Sequence, residues 1–357
     1  MPEAVLNEPR SQKLFIRLSS LGDVVLATSA LEALPPGEMV DWVVSSPYEI
    51  LLKGHPRVRR IWSFDRRSGS EGWAKLAKLL WASGYEEVFD LHSSLRSRWL
   101  RLQFLIWGLF KLDSVRPPRW RAIRKPRIRR AGYFVFKRAW PKAWRPPLST
   151  GQAARLAGGT GTERPDLRFL VDSSSNPVFD ELSKFSPGGY LCVMPSSIWE
   201  GKRWPISQYL ESLIGLGLPV VVLGSAEDVG SLELLEQLNK TDLQVKSGVG
   251  KWSLSEVASV LSNSLGYFGN DTGIAHLAEA VGTRAWMIFG PTRADTGFGP
   301  WRSGSLALES PLWCSPCSKD GRGCFRLNNR FACMKVLSSE SVVLRIQKSL
   351  THVSKKR

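Results

Sequence analysis

Four short stretches combine glycine, hydroxyls and charge in a way that could hold an anion or move a proton. They are SSLGD (19–23), SSIWEGKRW (196–204), GSAED (224–228) and NDTGIAH (270–276). In the last, Ile274, Leu277, Ala278 and Val281 follow at i, i+3, i+4 and i+7, which predicts a helix with one buried face. Asp271, Thr272 and Gly273 stand at its amino end. Free N–H groups, the positive end of the helix dipole and a glycine that permits close approach make an anion site there. An ordinary cap by Asp271 or Thr272 uses the same residues. His276 falls off the apolar stripe, as a cleft-facing donor or a plain surface residue.

The second stretch offers the hydroxyls of Ser196 and Ser197 and the compact charge of Lys202, suited to a phosphate. In the third, Glu227 occupies the place where doubly wound nucleotide binders hold a carboxylate against ribose hydroxyls, although an acid in a first helical turn is also a normal dipole partner. SSLGD ends in the carboxylate of Asp23, for which a helix-cap role is the simple alternative.

These stretches must be positioned by strands and helices. KLFIRL, VDWVVSS, VRRIWSF and EEVFDL read as strands, with helices near 24–34, 72–83 and 94–110. A second series follows: YLCVMP, PVVVLGS, LQVKSG, LGYFGN and RAWMIFG, with helices near 207–216, 227–239, 254–263 and 273–281. Such alternation predicts parallel sheets with crossover helices, so the chain reads as two doubly wound α/β domains, 1–172 and 173–357, joined through the linker-like 171–189. Ligands of such sheets bind beyond the carboxyl ends of the strands, which puts the chemistry in strand-to-helix loops and in a cleft between facing domains. No G-x-G-x-x-G follows either first strand, no G-x-x-x-x-G-K-[ST] occurs, and no two aspartates stand one residue apart. A dinucleotide dehydrogenase, a P-loop enzyme and a metal-dependent D-x-D transferase are each disfavoured.

Lys and Arg outnumber Asp and Glu by 49 to 32 across 357 residues, a net charge of +17. From Arg116 to Arg145 there are twelve basic residues and no acid, interleaved with Trp120, Tyr133, Phe134, Phe136, Trp140 and Trp144. Basic side chains with interfacial rings suit an anionic membrane face or a polyanion; nucleic acid is the rival partner on charge alone. The beginning of the chain has no apolar signal region and FLIWGLF is too short to span a bilayer, so the protein is expected in the cytoplasm. Cys314, Cys317, Cys324 and Cys333 follow C-x2-C-x6-C-x8-C, a candidate structural zinc site or a set of free thiols.

Taken together, IRLSSLGDVVLATSALEAL, KRWP, LGSAED and GNDTGIAHLAEAVGTRAWMIFGPT resemble the lipopolysaccharide heptosyltransferases of glycosyltransferase family 9, whose fold is GT-B. The resemblance implies inverting, metal-independent transfer of heptose from ADP-heptose to a sugar hydroxyl of the lipopolysaccharide inner core, peripherally on the cytoplasmic face of the inner membrane. It implies Asp23 as base, with Ser19, Ser20, Gly22 and Arg96 on the acceptor side. Lys202 and the Thr272–Gly273 helix start would hold the diphosphate, Glu227 the ribose, and His276 would line the donor pocket. A carboxylate can take the proton as the acceptor oxygen attacks, and with ADP leaving, positive charge and N–H dipoles can replace a general acid and a metal cofactor. A relative using another nucleotide sugar, a basic nucleic-acid-binding protein and an inactive envelope scaffold are the other readings.

Overall fold

The computed structural model describes residues 12–110, 115–171 and 177–354. It divides into two compact units: one holds residues up to Lys125 together with Thr150–Pro165, the other Pro126–Ser149 and residues from Asp166 onward. Each is an α/β unit around its own parallel sheet, the fold class expected of the sequence. The expected boundary at 172/173 lies outside the described residues, whereas the segment 126–149, which follows the first unit in the chain, packs with the second.

The first unit runs β1 (Lys13–Ile16), α1 (Leu21–Ala27), α2 (Ser29–Glu32), β2 (Val40–Ser45), β3 (Val58–Phe64), α3 (Gly69–Ala82), β4 (Glu87–Asp90), α4 (Leu95–Leu109) and β5 (Arg119–Ala122). Its strand order is β3-β2-β1-β4-β5. Leu14 lies opposite Asp41 on one side and Val88 on the other, so β1 is central and its end opens where the strand order reverses. Leu14, Ile16, Val43, Val88, Leu100 and Phe104 share one core with Trp73 and Trp81 of α3. β2 is buried along its whole length, Asp41 included. That carboxylate is held by a two-pronged Arg59 contact, at 2.9 and 2.6 Å, and by the Tyr85 hydroxyl at 2.6 Å, which in turn accepts from Trp62 Nε1.

Next come α5 (Arg127–Phe136), α6 (Ser149–Leu156) and α7 (Pro177–Phe185). The second sheet is built from β6 (Leu191–Met194), β7 (Val220–Val222), β8 (Val245–Ser247), β9 (Gly266–Asn270), β10 (Ala285–Phe289) and β11 (Leu306–Glu309). Between and after them lie α8 (Ile206–Leu216), α9 (Val229–Leu238), α10 (Leu254–Ser262), α11 (Gly273–Ala280), α12 (Ala332–Lys335) and α13 (Ser339–Ser354). The order β11-β10-β9-β6-β7-β8 again reverses beside the first strand, between β6 and β9. Leu191, Val193, Val220, Val222, Phe268, Trp286 and Ile288 pack there against Trp204, Tyr209 and Leu213 from the α8 side and Val342 and Ile346 of α13.

The Asp41 network gives the first test. Asp41→Ala takes the carboxylate from a partly buried guanidinium and the Tyr85 hydroxyl and should cost the first unit about 3–5 kcal/mol in urea unfolding. A loss below ~1 kcal/mol would mean that Arg59 finds solvent as easily as its carboxylate.

Candidate functional site

Each sheet places charged residues at its point of strand-order reversal, where open α/β sheets bind ligands. In the second unit the two loops concerned leave β6 and β9. Lys202, from the first, sets its ammonium 2.6 Å from Asp271 Oδ2, and both side chains are largely buried. Asp271 also accepts from the Thr292 hydroxyl at 3.4 Å and lies 3.7 Å from His276 Nε2. Thr272 is the N-cap of α11 in extended conformation, with no side-chain capping bond. Its hydroxyl is 3.4 Å from that of Tyr267. Among the described residues no side chain caps the first-turn N–H groups of α11, and the Lys202 ammonium lies 3.4 Å from the Asp271 carbonyl just before it. The sequence places Asp271, Thr272 and Gly273 in one loop and Lys202 in another; the fold brings Lys202 onto Asp271.

His276 is not the plain surface residue that its spacing allows. It is buried, and its ring stacks on Trp301 at 5.9 Å and 11°. The single apolar face expected for the helix is also exceeded: from Ala275 to Ala280 every residue of α11 is buried, Glu279 included. Glu279 Oε1 accepts from the Trp301 and Arg302 amides at 2.9 and 2.8 Å. Burial pushes its carboxyl up to about 7, against which those two amides pull. Trp301, Thr292 and Glu279 had no mark in the sequence, since they reach the helix from loops distant in the chain or from a face that should have been wet.

Ser196 donates to Asp228, which caps α9 by accepting from the Ser231 amide at 3.2 Å. Ser197 is engaged within its own loop: its carbonyl accepts from Arg203 Nε at 2.8 Å. Glu227 is exposed on the turn between β7 and α9.

In the first unit, α1 begins at Leu21 with Ser20 as N-cap, so Asp23 is a first-turn residue and not itself the cap. Its Oδ2 accepts from the Ser20 hydroxyl at 3.2 Å, and Oδ1 pairs with Arg17 at 2.8 Å. Burial works to raise its pKa, but the Arg17 charge and the Ser20 hydrogen bonds prevail and hold it below the usual carboxylate value. Asp23 is thus an ionised, half-buried acceptor directly after β1. His92, from the end of β4, accepts the Leu18 amide on Nδ1 at 3.3 Å. Burial and then Arg17 push it down to about 4, so it is a neutral ring with its proton on Nε2. Neither Arg17 nor His92 was singled out by the sequence. Ser19 accepts from Arg66 through its hydroxyl, Gly22 is buried in the first turn of α1, and Arg96 lies over the Phe64 ring at 5.6 Å.

Among the described residues no group of three or more His, Cys, Asp or Glu could hold a metal ion. Cys314 is buried and Cys324 accepts a backbone contact from Phe331 at 3.4 Å. Cys333, on α12, belongs to the hydrophobic core, and burial pushes its thiol up to about 12, while burial also raises Cys317. After burial, the neighbouring thiols of the same cluster add to the rise at both Cys333 and Cys317.

Two parallel-sheet α/β units of this topology are the GT-B fold. Residues 148–324 match glycosyltransferase family 9 (heptosyltransferase). Lipopolysaccharide heptosyltransferase 1 of Pseudomonas aeruginosa is 28% identical over 337 residues, 86% of each chain. The glycosyl transferase family 9 structure from Veillonella parvula superposes with a TM-score of 0.71 at 18% identity, over 97% of this chain and 99% of that one. E. coli heptosyltransferase WaaC with ADP gives 0.66 at 18% identity, over 94% and 99%. Residues 148–324 thus carry the family 9 match, and the chain is a glycosyltransferase similar over most of its length to heptosyltransferases of that family.

Glu279 yields a pH test. Below its ordinary 4.5 both folded and unfolded chains hold the proton; between 4.5 and about 7 only the folded chain does, so stability falls as pH rises through that window. Glu279→Gln should lack this fall, which urea unfolding from pH 4 to 8 reads directly. Parallel profiles for the two proteins would show that Glu279 does not titrate there.

Proposed function

We propose that this glycosyltransferase moves heptose from ADP-heptose to a sugar hydroxyl of the lipopolysaccharide inner core, with inversion and without a metal ion. The observation that carries the reading is the Lys202 ammonium beside the side-chain-uncapped start of α11. A diphosphate there accepts from Lys202 Nζ and the first-turn N–H groups, while Asp271, steadied by His276 and Thr292, fixes the ammonium. Glu227, exposed beyond β7, is the carboxylate offered to the ribose. The name of the Pseudomonas relative and the ADP in the E. coli structure support the donor and the pathway.

In the transfer step, the acceptor oxygen bonds to the anomeric carbon on the face opposite ADP and gives its proton to Asp23. The bond from that carbon to the phosphate oxygen breaks, and its electron pair leaves with ADP. Arg17 keeps Asp23 ionised at neutral pH, so the base needs no prior deprotonation. Charge developing on the leaving phosphate is met by Lys202 and the α11 dipole, which is the work a metal would otherwise do.

The acceptor is lipid-linked, so the enzyme works at the cytoplasmic face of the inner membrane. The basic segment supports this: Tyr133 and Arg145 bind Asp295 and Lys137 binds the Pro316 carbonyl, anchoring the segment, while Ile128, Val135, Phe136 and Trp144 are left exposed.

Two variants test the reading. Lys202→Ala should weaken ADP binding by about 1–3 kcal/mol in calorimetry, since it removes a charged donor and leaves Asp271 facing the phosphates. Binding of another nucleotide but not ADP would overturn the donor assignment. Asp23→Asn should lower turnover by ~100-fold or more with ADP affinity little changed. The partly exposed pair with Arg17 is worth little stability, so melting should barely move. Near-normal transfer by Asp23→Asn would leave that carboxylate as a first-turn anchor only.

A further inference from the structure

Helix α4 presents two faces of the same chemical character, only one of which is covered. Inward, Ser97, Leu100 and Phe104 are buried, with Phe104 edge-on to Trp81 at 5.4 Å. Outward, Leu95, Trp99, Leu102, Ile106, Leu109 and the following Phe110 are exposed, Leu95 by 83%, Leu109 by 80% and Phe110 by 75%. Residues 95, 99, 102, 106 and 109 recur at alternating steps of four and three, so they form one continuous stripe along the helix. Single exposed apolar residues are ordinary; a contiguous row is the mark of a contact surface. Arg98 and Arg101 lie on its flank, also exposed, and α4 contains no acidic residue.

We propose that α4 lies flat in the interface of an anionic bilayer, its apolar stripe at the acyl boundary and Arg98 and Arg101 at the phosphate level. The proposal rests on the reading that the acceptor is lipid-linked, and adds to it the element that enters the membrane. Fifteen residues span only about 22 Å, and no helix among the described residues is long and apolar enough to cross, so the helix lies on the surface. Charge decides the occupant. A second copy seated on the same stripe across a twofold axis would bring four arginines to one seam with no acid of α4 to meet them. A bilayer rich in anionic headgroups satisfies stripe and flank together, and Trp99 is the side chain that settles at such an interface.

The test is co-flotation with vesicles of phosphatidylcholine containing phosphatidylglycerol, compared with phosphatidylcholine alone, and free of any glycan acceptor. The wild-type enzyme should float with the anionic vesicles. Leu102→Ser with Ile106→Ser should lower that binding by about tenfold or more, because two side chains no longer leave water. Both positions are exposed, so the melting temperature should not change. Arg98→Gln with Arg101→Gln should lower binding several-fold at low salt and hardly at all at high salt. Equal flotation of Leu102→Ser/Ile106→Ser and wild type overturns the proposal. So does a wild-type dimer in light scattering that this double variant dissolves while vesicle binding stays the same. ADP titration of the same samples without vesicles reads the donor site separately, so failure of the donor reading cannot be mistaken for failure of α4.

Discussion

The side-chain amide of Asn270, at the end of β9 and buried completely, is the contact on which the Lys202–Asp271 pair depends. Its oxygen accepts from the Tyr209 hydroxyl at 3.0 Å and the Trp204 amide at 3.4 Å, and its nitrogen donates to the Pro195 carbonyl. Those partners belong to the loop after β6 and to α8, while Asn270 belongs to β9, so one amide fastens the two strands where their connections diverge. A buried amide without partners is expensive, which makes this arrangement hard to shift. Lys202 sits two residues before Trp204 and Asp271 directly after Asn270, so the ion pair follows from the fastening beneath it. Gly269 belongs to the same joint: a Cβ there would stand 2.6 Å from the Met194 carbonyl.

Both units use a paired cation and carboxylate in a strand-to-helix turn, but the proposed chemistry uses opposite members of the pair. In the second unit Asp271 is the support and the Lys202 ammonium does the work; in the first Arg17 is the support and the Asp23 carboxylate does it. Neither pair is strong evidence for stability: desolvation offsets most of the attraction in the buried Lys202 pair, and solvent screens the partly exposed Arg17 pair. The value of such a pair lies in holding one charge, already desolvated and oriented, where a substrate group will arrive.

Much of this was legible in the sequence because it is local. β3 and the helices α8, α10 and α11 fall within a residue or so of the ends that periodicity and glycine positions suggested. β5 was not legible: RWRA is half arginine, and an edge strand half open to water needs no apolar run. The burial of His276 is not legible, because a helical wheel tells which residues share a face, not how many faces are covered; Trp301, twenty-five residues on, covers the polar one. The same limit applies to α4, whose apolar residues were plain but whose uncovered side was not. The segment 126–149 follows the first unit in sequence, yet Tyr133 and Arg145 reach Asp295, a contact that no local pattern encodes.

The residues that sequence reasoning missed around α11 form a connected support. Glu279, near the carboxyl end of the helix, holds the Trp301 and Arg302 amides, and Arg302 Nε returns a 2.9 Å hydrogen bond to the Glu279 carbonyl. The Trp301 ring so fixed lies flat against His276, one turn nearer the amino end, and His276 faces Asp271. The carboxylate that steadies Lys202 is therefore braced from behind by a loop pinned almost two turns away. An anion site made only of backbone N–H groups tolerates a shift of its helix, because the donors move together. One that also requires a lysine from another loop does not, because the ammonium and the helix start must converge on the same oxygen atoms. The polar residues buried along α11 are where the fold meets that requirement.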